Sequence, residues 1–166
     1  RFLDRGQSRL LNANTLAVDF GVGSDFYEKS ITKFRSVVER AMREKPEYAG
    51  LIRQVWQNFV AYLGLSDYSA FSTDTYINEF YLVTVAKMIC ADILAGEPVI
   101  SDKEALKSIL DGRYFKRLNI YNLVEYDYFG WLNSAPYVDL LLDCASEMQN
   151  RLAAYDFSHI GDRDIF

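Results

Sequence analysis

One histidine, two cysteines and three prolines are all that 166 residues hold of three types on which many sites depend. With His159 alone, a multi-histidine metal centre cannot form. Cys90 and Cys144 have no zinc-ligand spacing, and their apolar helical surroundings predict buried free thiols in a reducing compartment. Basic residues are outnumbered, 18 Lys and Arg against 23 Asp and Glu, and the net charge of −5 argues against a dedicated nucleic-acid-binding module. No glycine-rich loop ends in Lys-Ser or Lys-Thr, so there is no P-loop. A basic segment followed by an apolar leader does not open the chain. The longest apolar run, around Phe80 to Ala91, includes Lys87 and falls short of the roughly 20 residues a membrane span needs. The default expectations are no membrane association and a cytoplasmic location. Internal repeats and low-complexity tracts are also missing. Glu125 and Asp127 could pair as acid and base, but nothing else supports a pocket, so they read as a polar rim.

What the chain has in quantity is rings: 12 tyrosines and 11 phenylalanines, which need a large interior or a partner surface. A chain of this length suits one domain and buries roughly 70% of its unfolded surface without disulfide or metal. The stretch Thr73 to Ala95 organises that interior. Tyr76, Phe80, Val83, Cys90 and Leu94 form one helical stripe; Ile77, Tyr81, Met88 and Ala91 a second; Leu82, Val85, Ile89 and Ile93 a third. Asn78, Glu79, Lys87 and Asp92 are too scattered to make a wet face, and a helix apolar all round is buried all round. The expected fold is all-α, an irregular multi-helix bundle around a central helix at about residues 73–95.

Residues 1–23 read as an N-terminal arm and turn, and residues 24–166 as a single helical domain. In the arm, Leu16-Ala17-Val18 precedes Asp19 and the Gly21-Val22-Gly23 turn. An apolar strand, an acid and Gly-x-Gly can begin a nucleotide or S-adenosylmethionine loop. Here the third glycine is missing and no second strand with an acidic tip follows, so the segment reads as a flexible turn ending at a helix cap, Ser24. A helix follows with Phe26, Ile31, Phe34, Val37, Val38, Ala41 and Met42 inward; Arg40, Arg43 and Lys45 near its end read as a solvated face.

Pro46 opens the next helix, whose inward set is Leu51, Val55, Trp56, Phe59, Val60 and Tyr62, with Gly64 as its stop. Ser72 or Thr73 caps the central helix, and Gly96 with Pro98 ends it. Ser101 with Glu104 reads as a capping box for a short helix through Leu106, Ile109 and Leu110, ending at Gly112. Residues 112–132 are dense in aromatics, with Arg113, Lys116 and Arg117 among them. Rings interleaved with basic side chains can hold a single nucleic-acid strand, so these three are the candidate nucleic-acid-binding residues. The competing reading is rings that plug the bundle while the charges stay wet, and Glu125 and Asp127 nearby favour it. Asn133 or Ser134 caps a last long helix with Val138, Leu141, Leu142, Ala145, Met148 and Leu152 inward. Ser158 looks like one more cap shortly before Phe166, which, with the start at Arg1, suggests a piece of a longer polypeptide.

Three stretches together resemble one family. Thr75-Tyr76, then Leu82 and Ala86-Lys87-Met88-Ile89, is similar to the aromatic, Ala-Lys-containing helix ahead of the catalytic domain in large N6-adenine DNA methyltransferases. Gly112-Arg113-Tyr114-Phe115, Asn119-Ile120-Tyr121-Asn122 and Glu125 to Trp131 resemble the segment that follows it there. Tyr155-Asp156-Phe157-Ser158 with Asp162 to Phe166 is similar to the linker that enters the catalytic core. The family includes single-chain restriction-modification enzymes, and the likeness spans about residues 50–166. It implies a non-catalytic helical domain that packs on an S-adenosylmethionine-dependent core and assists DNA binding or coupling between modules. The family's Asn-Pro-Pro-Tyr catalytic motif and its cofactor loop lie after this region, and Pro46, Pro98 and Pro136 are never adjacent. No catalytic, cofactor-binding or metal-binding residue is therefore carried over. The implied partners are a downstream methyltransferase domain of the same polypeptide and, through it, DNA; by itself the chain is expected to be a monomer. The alternative is a stand-alone helical protein-interaction domain.

Overall fold

A computed structural model describes residues 9–64, 70–97, 102–121 and 128–157. The fold is all-α, with eight α-helices among the described residues. In chain order they are α1 (Ala13–Phe20), α2 (Asp25–Glu44), α3 (Pro46–Tyr62), α4 (Thr73–Ala95), α5 (Lys103–Leu110), α6 (Arg113–Arg117), α7 (Tyr137–Leu140) and α8 (Leu142–Leu152). A 3-10 turn (Gly130–Asn133) precedes α7. Two short strands, β1 (Arg9–Leu10) and β2 (Tyr155–Asp156), pair in parallel, Arg9 opposite Tyr155 and Leu10 opposite Asp156.

Local chemistry sets the helix starts. The side chains of Asn12, Ser24, Ser72 and Asp102 accept backbone N–H bonds from Thr15, Tyr27, Thr75 and Ala105, which would otherwise be orphaned in the first turn. Asp102, not Ser101, caps α5; Ser101 lies outside the described residues. Pro46 sits in the first turn of α3, directly behind the end of α2. Gly96 stops α4 in a left-handed conformation, φ 74°.

Helix α4 is the centre, packed by α2, α5 and α8. Tyr76, Ile77, Phe80, Tyr81, Met88 and Ala91 are essentially inaccessible. Its enclosure has one gap: Leu82 and Leu94, placed by the sequence on apolar stripes, are 43% and 48% exposed. The scattered polar residues do not mark that gap. Lys87 and Asp92 are buried, and the Lys87 ammonium donates to the Leu110 carbonyl (3.2 Å), capping the end of α5 with a positive charge. Tyrosine hydroxyls tie the irregular segments to this frame. Tyr81 donates to the Phe20 carbonyl (2.7 Å), Tyr27 to Asn78 (2.6 Å), and Tyr76 to the Tyr128 carbonyl. Each keeps its ring in the interior while the hydroxyl finds an acceptor.

Three sequence expectations change. Residues 13–20 form a capped helix with Leu16 and Phe20 in the core, so the segment is neither strand nor free turn. The Tyr155 hydroxyl reaches the Thr15 carbonyl (3.1 Å) and the Asp19 carboxylate, so this N-terminal segment packs with the rest of the helical domain. The 3-10 turn ends at Asn133, the Ala135–Pro136 peptide bond is cis, and the expected single helix after Ser134 is split into α7 and α8. Neither Asn133 nor Ser134 caps it through its side chain, although its expected inner residues, Val138 through Leu152, are all buried. The largest change is in α3. It turns Ala49, Ile52 and Val60 inward, while Leu51, Phe59 and Tyr62 are 49%, 54% and 87% exposed.

Candidate functional site

The three basic candidates come together on α6. Gly112, at φ 86°, lets α5 stop and α6 begin at once, and this corner frames an open cleft of about 750 Å3. Arg113, Lys116 and Arg117 line it, but Asp102 and Glu104 from the start of α5 line it too. The Arg113 guanidinium donates to Asp111 (2.7 Å) and Glu104 (3.1 Å), hydrogen bonds that hold its pKa above the ordinary value. Arg117 donates to the Arg113 carbonyl (3.4 Å). The cleft therefore carries balanced charge, and Arg113 must leave two carboxylates before it can meet a phosphate. The sequence places Asp111 and Glu104 within reach only once Gly112 folds the chain back, which is why the motif looked more basic than the surface is.

A second recess, about 240 Å3, lies where α3 meets the start of α4. Trp56, Phe71, Tyr76 and Tyr128 line it. Phe71 and Tyr128 pack on the Tyr76 ring at 5.7 Å and 4.9 Å, and the Trp131 indole N–H donates to the Tyr76 hydroxyl (2.9 Å). Burial pushes the Tyr128 phenol up to about 12 and Tyr76 higher still. Burial also raises the nearby Glu79 carboxyl. Between the ordinary carboxylate range and that raised value, folded Glu79 holds more proton than unfolded Glu79. Stability falls as pH rises through that window. Glu79→Gln is expected to raise the melting temperature at pH 7 and to leave it little changed at pH 4; calorimetry at the two pH values checks this.

The Gly21-Val22-Gly23 turn does not fit a methyl-donor loop. A helix precedes it, and a Cβ at Gly21 would sit 2.3 Å from the Ala17 carbonyl oxygen, so the glycine serves the close stop of α1. Cys90 and Cys144 are half-buried free thiols whose pKa burial raises, the opposite of what a nucleophile needs. Among the described residues no group of His, Cys, Asp and Glu could hold a metal. No helix among them is long and apolar enough to cross a membrane. Glu125, Asp127, Ser158 and His159 lie outside the described residues. The feature that sequence reasoning missed is the outer face of α3, since helical periodicity places apolar residues on one side without saying whether anything covers them. Comparison of the chain with protein-family models, curated proteins and solved structures returns no match.

Proposed function

We propose that this chain is a non-catalytic helical domain of an adenine-specific DNA methyltransferase or restriction-modification polypeptide. It packs against a separate S-adenosylmethionine-dependent core of the same polypeptide, in the cytoplasm, and assists DNA binding or coupling between modules. The reading rests on the resemblance, and one packing observation is consistent with it: the described parts of the resembling stretches are neighbours in space. Tyr76 on α4 bonds both Tyr128 and Trp131, Phe129 stacks on Tyr76 and Phe80, and the Tyr114 hydroxyl reaches the Ala91 carbonyl (3.4 Å). Phe115, Tyr155 and Phe157 join the same core.

The coding sequence beyond Phe166 tests the reading. A glycine cofactor loop followed by an Asn-Pro-Pro-Tyr-like motif is the expected finding, and their absence overturns the assignment. The 166-residue chain alone is expected to bind neither S-adenosylmethionine nor duplex DNA tightly; micromolar cofactor binding by calorimetry would contradict a non-catalytic role. A second reading, a stand-alone protein-interaction domain, is favoured by the exposed apolar face of α3. A reading frame that stops at Phe166 would decide for it.

A further inference from the structure

We infer that the exposed face of α3 pairs with the same face of a second copy, antiparallel, about a two-fold axis through Val55. Tyr48, Leu51, Val55, Phe59 and Tyr62 are spaced by three, four, four and three residues, which keeps all five on one helical stripe. That stripe adjoins the side holding Ala49, Ile52 and Val60 in the core. Tyr48 and Tyr62 are 42% and 87% exposed, Leu51 and Phe59 49% and 54%, and Val55 is half-buried.

The spacing is symmetric about Val55 and the chemistry nearly so, except that Tyr48 also stacks on Trp131 of its own chain (5.8 Å, 5° between planes) while Tyr62 is 87% exposed. Antiparallel pairing sets Tyr48 against Tyr62 of the second copy, Leu51 against Phe59, and Val55 against Val55. A two-fold contact uses one patch twice, so it requires a patch complementary to its own reverse, and this stripe meets that condition. Charge permits the approach: α3 carries only Glu47 and Arg53, and neither belongs to the stripe. The exposed apolar area, with the adjoining Leu63, comes to roughly 500 Å2 per copy, at the upper end of the largest patch on a typical monomer. Two copies would bury at most about 1,000 Å2, the lower bound for a specific interface, which fits a weak dimer. The proposed dimer differs from the monomer expected from the sequence, and it does not depend on either reading of function.

Sedimentation velocity on the 166-residue chain, over a concentration series reaching about 0.5 mM, should show a concentration-dependent dimer. Phe59→Glu should weaken it at least about tenfold. Its helical circular dichroism and melting temperature should stay unchanged, because Phe59 is already more than half exposed. Val55→Cys in a Cys90→Ser, Cys144→Ser background should give an oxidised covalent dimer, and Gln57→Cys on the opposite face should not. If the double Cys→Ser background does not fold, a photo-crosslinking residue at position 55 in the native chain replaces it. A monomer throughout the series would overturn the inference. So would a dimer that survives Phe59→Glu, or one that fails to cross-link at position 55.

Discussion

Replacing Phe80 by alanine should cost about 3–5 kcal/mol, the largest effect expected of any single truncation in the chain. Phe80 is 1% exposed at the middle of α4. Its ring meets Phe34 of α2 edge-on at 5.5 Å and stacks on Phe129 at 5.7 Å, with 18° between the planes. The ring thus joins the first long helix to the segment before α7, and Phe34 cannot close on the space it would leave without moving α2. The cost is the lost transfer energy plus the cavity. For a chain of this size it corresponds to a fall in melting temperature of about 10 °C or more. Leu82→Ala on the same helix is the control. With Leu82 43% exposed, its cost should stay under about 1 kcal/mol. Equal losses at the two positions would mean that α4 is not sided as described.

The second large effect is expected from removing one oxygen atom. The Tyr76 hydroxyl donates to the Tyr128 carbonyl and accepts from the Trp131 indole N–H, and the residue is 1% exposed. Tyr76→Phe keeps the ring and its contacts but leaves a carbonyl and an indole N–H without their partner. Each orphaned group costs about 1–3 kcal/mol, so a loss of at least about 2 kcal/mol is expected in chemical denaturation. The near-ultraviolet spectrum should change with it, because Trp131 loses one of the two contacts that orient its ring, keeping only its stack on Tyr48. Tyr62→Phe, at a hydroxyl 87% exposed, should change neither quantity. A loss under 1 kcal/mol for Tyr76→Phe would show that water takes the place of the hydroxyl.

The helices themselves were legible because their signals are local. Ser24 and Ser72 cap the helices they precede, Gly96 and Gly112 end theirs, and the inward set of α2 and of the final segment follows the helical repeat. α1 was misread because eight residues carrying an Asp and bordered by Gly-x-Gly offer too little periodicity to separate helix from strand. What makes α1 hold is distant: Phe20 enters the core and the hydroxyls of Tyr81 and Tyr155 take backbone carbonyls on it. The basic motif on α6 was legible as residues but not as a surface, since the carboxylates of Glu104 and Asp111 approach only after the chain turns at Gly112.

By itself the order of residues determined an all-α chain and the place of its central helix, because caps and periods act over a few neighbours. Tertiary structure alone decided which apolar stripe each helix buries. For α3 it chose Ala49, Ile52 and Val60 over Leu51, Phe59 and Tyr62. A helix with two adjacent apolar stripes can dock by either one, and the choice belongs to the shapes of the surfaces it meets.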